Sequence, residues 1–102
     1  MEINIITYGG IITKWTAKDR FNHFNDIVLG YKNLNQYEWS SPYFGAIVGR
    51  YGNRISKGKF ALNNQAYFLT TNDNENHLHG GFKGFDKVIW EAQIIKNDSI
   101  AS

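Results

Sequence analysis

At 102 residues the chain has room for one small domain with a modest core. A formal net charge of +2, with eleven scattered Lys and Arg, excludes the long basic stripe of a nucleic-acid face. The absence of cysteine excludes a disulfide framework and any thiolate metal site.

The densest basic group is Arg50, Arg54, Lys57 and Lys59, broken by apolar residues and glycines, and it reads as a solvated surface. No apolar run approaches the roughly 20 residues that cross a bilayer. The start, Met1-Glu2-Ile3-Asn4, lacks the basic-then-apolar order of a secretory signal. A soluble cytoplasmic protein, with no nucleic-acid or membrane partner, is the expectation. Aromatic residues make up 16%, a share that suits strands better than helices.

Taken in chain order, residues 3–6 read as a short β-branched strand, broken by Tyr8-Gly9-Gly10. A second strand follows over residues 11–15, with a turn or bulge between the two. Residues 18–25 are polar and read as a loop. Asp26-Ile27-Val28-Leu29 reads as a short buried strand ending at Gly30, and residues 31–40 have no clean period and read as irregular. Ser41-Pro42 can open a short helix over residues 44–48, with Ser41 as its cap, and a buried strand fits the same residues. The clearest local signal is the pair of β-rich runs flanking Asn63-Asn64. Asparagine tolerates positive φ, so a two-residue type I′ hairpin is predicted, with Phe60 opposite Tyr67 and Leu62 opposite Gln65. Residues 71–76 read as a polar loop, residues 88–95 as a last long strand, and Asn97-Asp98-Ser99 as a turn. No helix longer than two turns is expected. Strands joined by short turns predict an antiparallel all-β protein.

Three groups of residues can carry chemistry. His77-Leu78-His79 has a spacing that metal sites use, but three or four ligands are needed, and His23, Asp73 and Glu75 would join only by assumption. Hydrogen-bonding or surface histidines are the plainer alternative, and no metal is expected. Asn53-Arg54 stands in an otherwise apolar or small stretch. Arg brings five donors in a rigid fork, so Arg54 needs either a structural carboxylate or a ligand rich in hydroxyls. In His79-Gly80-Gly81-Phe82, the glycines let the backbone bend and a ligand approach. Phe82 and Phe85 read as core plugs or as a stacking surface for the apolar face of a sugar. No nucleophilic triad or phosphate-cradling loop is present.

Several segments in order resemble the aldose 1-epimerase (galactose mutarotase) family: Tyr8-Gly9-Gly10, Asp26-Ile27-Val28-Leu29-Gly30-Tyr31, Pro42-Tyr43-Phe44-Gly45-Ala46, Asn53-Arg54-Ile55, Gly58-Lys59-Phe60, Leu78-His79-Gly80-Gly81 and Gly84-Phe85-Asp86-Lys87-Val88-Ile89-Trp90. The resemblance implies that residues 1–102 are the amino-terminal part of one antiparallel β-sandwich domain of galactose mutarotase-like type. It implies interconversion of the α and β anomers of free aldoses such as galactose and glucose, by general acid–base catalysis with no cofactor. Asn53 and Arg54 fall on the family's substrate-binding pair. His79 falls on the first of its active-site histidines, which contacts the sugar. The family's general-base glutamate, proton-donating second histidine and substrate aspartate would follow the matched stretch. These residues would then supply part of a sugar site, with Arg54 and His79 converging on one concave face beside Asn53. The chain alone would be catalytically idle and poorly stable, with residues 88–95 as an exposed apolar edge. A non-catalytic carbohydrate-binding β domain is the alternative reading.

Overall fold

In a computed structural model, residues 1–39 and 42–95 are described. Strand β1 (Glu2–Ile5) pairs antiparallel with β2 (Ile12–Lys18), joined by Tyr8-Gly9-Gly10, where Gly9 and Gly10 take φ of 64° and 57°. A residue carrying Cβ is strained there, which is why the break falls on two glycines. Of the turn or bulge expected between the strands, the turn is what joins them, and a register shift falls within the ladder, between Asn4 and Ile5.

β2 in turn pairs with β3 (Phe24–Asp26), which is three residues long and exposed. The expected buried strand over residues 26–29 is therefore displaced towards the amino terminus. Asp26 is the cause. Its Oδ1 accepts from the Trp15 N–H at 3.0 Å and from the Val28 N–H at 3.1 Å. The second contact is a two-residue Asx turn, and it takes up the Val28 N–H, so the chain leaves β2 after the Ile27 N–H donates to Trp15 O at 2.9 Å.

Residues 31–39 are also more ordered than expected. Helix α1 (Leu34–Trp39) forms behind Asn33. The Gln36 side chain accepts from the Asn33 N–H at 3.3 Å, the returning half of a capping box. α1 buries Tyr37, whose hydroxyl accepts from the Tyr31 N–H at 2.8 Å and whose ring meets Tyr31 edge-on at 5.2 Å. Of residues 44–48, which fitted a helix or a strand equally, neither forms. Gly45 sits at φ 63°, and the loop docks instead through Ile12 N–H to Gly45 O (3.0 Å) and Ile47 N–H to Gly9 O (3.1 Å). Ser41, the expected cap, lies outside the described residues.

Strand β4 (Arg54–Ile55) leads through a 3₁₀ turn over Ser56–Gly58 into β5 (Lys59–Leu62), which pairs with β6 (Gln65–Phe68). The hairpin is as predicted: Asn63 and Asn64 have φ of 50° and 63°, Phe60 faces Tyr67 and Leu62 faces Gln65. The Phe60 and Tyr67 rings stack at 5.1 Å. Strand β7 (His77–Leu78) pairs back onto β4.

The long strand expected over residues 88–95 is not present. Among the described residues, only Ile89 bridges to Tyr8, flanked by Gly9 N–H to Val88 O and Trp90 N–H to Thr7 O, both at 2.8 Å. Val88, Ile89, Trp90, Ile94 and Ile95 favour β, but a strand needs a partner to supply its ladder. The turn expected at Asn97-Asp98-Ser99 lies outside the described residues.

All pairing is antiparallel, in sheets ordered β1-β2-β3, β4-β7 and β5-β6. The shielded centre is small: among the described hydrophobic residues, Ile11 and Tyr37 are the buried ones. No described helix is long and apolar enough to cross a membrane.

Candidate functional site

Asn53 and His79 flank the short β4–β7 pairing, one residue beyond the Arg54–Leu78 pair. They hold each other by two bonds: the Asn53 N–H donates to His79 Nδ1 at 2.8 Å, and the His79 N–H donates to Asn53 O at 3.1 Å. Both lie in the left-handed region, Asn53 at φ 64° and His79 at φ 51°. Such backbone costs energy in a residue with Cβ, and it recurs where function fixes a side chain.

The first of these bonds also sets the imidazole's chemistry. A backbone N–H can only donate, so Nδ1 must be the bare nitrogen, and the neutral ring carries its proton on Nε2. His79 is half-buried, and its Nε2–H is the donor of the neutral ring.

Arg54 turns to the same asparagine. Its Nη1 donates to Asn53 Oδ1 at 3.3 Å, and its Nε donates to Asp73 Oδ2 at 2.6 Å. Of the two options left open for Arg54, the carboxylate is the one observed, and these contacts use Nε and one Nη of a side chain that is 52% exposed. N–H groups of the fork remain to face solvent or a ligand.

Asp73 is set by a tight loop in which Asp73 and Asn76 exchange backbone bonds at 3.1 and 2.9 Å. Asn72 clamps β7 from the same loop, accepting from the Leu78 N–H at 2.7 Å and donating to Leu78 O at 2.9 Å. After β7 the chain turns sharply. Gly80, at φ 96°, packs so closely on the Gly49 carbonyl that a Cβ would overlap it.

His77 takes no part in this cluster. It is buried, and its Nδ1 lies 2.7 Å from Thr70 O, so that ring nitrogen donates. In an extended strand His77 and His79 would share a face. The left-handed turn at His79 ends the strand and separates the two rings. No group of three or more His, Asp or Glu is placed to hold a metal among the described residues. His23 sits in the β2–β3 turn, paired with Asp19 at 3.7 Å. Phe82 is exposed and plugs no core, whereas Phe85 is half-buried against Trp90.

Asn53, Arg54 and His79 are therefore brought together, with Asn53 as the common partner, on an open surface. A small recess by Tyr51, Ile55 and Phe60 includes Arg54. Two larger clefts, one lined by Thr13, Asp26 and Tyr31 and the other by Arg50, His77 and Lys83, contain none of the three. The cluster offers directional donors and acceptors, with the charge of Arg54 balanced by Asp73. That suits a neutral ligand bearing many hydroxyls better than an ion.

The family model for aldose 1-epimerase matches residues 1–102. The chain belongs to the aldose 1-epimerase family. It is 46% identical over 97 residues to the galactose mutarotase of Rattus norvegicus, an alignment covering 95% of this chain and 28% of that protein. Among solved structures, a GalM/aldose epimerase homologue from C. elegans superposes with a TM-score of 0.79 at 29% identity, over 87% of this chain and 27% of that one. The galactose 1-epimerase of Lactobacillus acidophilus gives a TM-score of 0.69 at 25% identity, over 87% and 25%. The all-β, antiparallel aldose epimerase fold is thus shared, and the chain spans just over a quarter of the length of these relatives.

Sequence reasoning missed Asp73 as the partner of Arg54, Asn72 as the clamp on β7, and Tyr43. The Tyr43 ring meets His79 edge-on, with centroids 4.7 Å apart. The one signal for Tyr43 in the sequence was its place in Pro42-Tyr43-Phe44-Gly45-Ala46.

Proposed function

We propose that Asn53, Arg54 and His79 form part of the sugar site of an aldose 1-epimerase, which interconverts the α and β anomers of free hexoses such as galactose and glucose. The observation that carries this reading is the fixed tautomer of His79: its Nδ1 accepts from the Asn53 N–H while Asn53 Oδ1 accepts from Arg54 Nη1, so one asparagine ties the imidazole and the fork together. Anomer exchange removes a proton from the C1 hydroxyl and delivers one to the ring oxygen. The ring opens, the C1–C2 bond rotates, and closure gives the other anomer. Arg54 and Asn53 would bind neighbouring hydroxyls, and His79 would donate from Nε2 to an oxygen of the sugar. Asp73 is the carboxylate of the described cluster, and it is held by Arg54. The base that accepts the C1 proton is therefore a further group.

The test is anomer exchange by polarimetry with the protein as its gene encodes it. Arg54→Ala and His79→Ala should each lower kcat/KM by about 100-fold, the usual scale for one lost donor to developing charge. Exchange at the unmodified rate in both variants would overturn the proposal. A second reading, a carbohydrate-binding β domain without catalysis, is favoured by the lack of an unengaged carboxylate in the described cluster. It predicts saturable sugar binding that Arg54→Ala abolishes, with anomer exchange at the buffer rate throughout.

A further inference from the structure

His79 is held by hydrogen bonding at one ring atom, Nδ1. A single hydrogen bond fixes a point of the imidazole but lets the plane tilt about it, and a tilt would swing Nε2–H away from a ligand. The second restraint on the plane is the Tyr43 ring, edge-on at 4.7 Å with the planes at 72°. Tyr43 is itself pinned. Its backbone takes φ 64°, its carbonyl accepts from the Ala46 N–H at 3.2 Å, and Gly45 O accepts from the Ile12 N–H on β2.

Lys87 adds a further support, with its Nζ 5.3 Å from the Tyr43 ring centroid, as in a cation–π contact. Lys87 is anchored in turn by Asp86, whose Oδ2 lies 2.6 Å from Nζ and whose side chain is almost wholly buried. The 3₁₀ turn carrying both residues, Phe85–Lys87, is tied down by Phe85 N–H to Gly49 O. Asp86, Lys87, Tyr43 and His79 thus form a stack running from a buried floor to the candidate sugar site.

We propose that Tyr43 is a positioning residue for His79: its ring, backed by Lys87, sets the plane of the imidazole and so the direction of Nε2–H. The catalytic consequence rests on the sugar-site reading; the geometric one does not. Tyr43 touches no sugar in this account, so its loss acts through His79 alone.

The experiment uses the protein as its gene encodes it, with Tyr43→Phe, which keeps the ring, and Tyr43→Leu, which removes it. Tyr43→Leu should lower kcat by about tenfold, with KM changed less than about threefold, since small misplacements of a catalytic group carry costs of this order. Tyr43→Phe should stay within about twofold of the unmodified protein. Combined with His79→Ala, Tyr43→Leu should cause no further loss, because coupled residues are not additive. An equal loss with and without His79, or equal damage from Phe and Leu, overturns the proposal.

Nitrogen-15 histidine spectra separate this outcome from failure of the sugar reading. Even with no anomer exchange at all, the Nε2-protonated signal of His79 should shift or broaden in Tyr43→Leu and stay put in Tyr43→Phe. An unmoved signal in Tyr43→Leu overturns the proposal. Tyr43→Met fills the same space without a ring and takes the place of Leu if that variant fails to fold.

Discussion

The Arg54–Asp73 pair is short, but Arg54 is half exposed, and exposed ion pairs contribute roughly 0–1 kcal/mol. Its value therefore lies in aiming the guanidinium rather than in holding the fold. Asp73→Asn should leave stability within about 1 kcal/mol, yet weaken sugar binding by releasing Arg54. Denaturant titration and calorimetric binding on this variant of the protein as its gene encodes it check both parts, and a loss of several kcal/mol with binding intact would make the pair structural. Asn53, Arg54 and His79 could be picked out of the sequence because an Arg in a small, apolar stretch and a His before two glycines are unusual. Their partners could not. Asp73 lies 19 residues from Arg54, and Tyr43 lies 36 residues from His79. Which aromatic or acid closes the gap is decided by loop docking, not by local pattern.

The hairpin could be read from the sequence because everything that fixes it lies within ten residues. Both turn residues have positive φ, which Asn and Gly accept and β-branched residues do not. Asn64→Gly should be neutral or slightly stabilising, while Asn64→Val should cost about 1–2 kcal/mol; urea unfolding of the protein as its gene encodes it, monitored by tryptophan fluorescence, distinguishes them. Elements set by a side chain acting on the backbone were harder to read. Asp26 takes two N–H groups and ends β3 early; the Asn33–Gln36 cap makes a helix where no periodicity announced one.

The two bonds at Asp26 also carry a pH signature. The Trp15 N–H, first, and then the Val28 N–H favour the ionised carboxylate and lower its pKa from the ordinary 3.8. A carboxyl whose folded pKa is depressed adds stability that is complete above its unfolded value and is lost as pH falls through the folded one. The β2–β3 corner should therefore loosen only below about pH 4. Amide exchange at Trp15 and Val28 should accelerate there, and Asp26→Asn should remove that acid step. An unchanged acid step in Asp26→Asn would assign it to another carboxylate.

For the whole molecule the deciding quantity is how much apolar surface the 102 residues shield. The radius of gyration is 17.5 Å, against about 13 Å for a compact domain of this size. Trp39, Ile94 and Ile95 are 89%, 77% and 95% exposed. A β-sandwich gains its stability when two sheets close face to face. Here the described sheets have three, two and two strands, and residues 91–95 pair with nothing described. That is why residues 88–95 read as a strand in the sequence but do not form one: their side chains favour β, and the ladder must come from elsewhere. A chain with so little shielded surface has little to lose at once, so its unfolding should lack cooperativity. The 102-residue chain on its own should bind the dye ANS at neutral pH, melt over a broad range, and show a urea slope well below the roughly 1–3 kcal/mol per molar typical of small domains. Ile94→Lys with Ile95→Lys should reduce dye binding and raise solubility without sharpening the melt, because they remove sticky surface without building a core. A sharp, reversible two-state transition from a monomer of these 102 residues would overturn this, by requiring a packed core larger than Ile11 and Tyr37 provide.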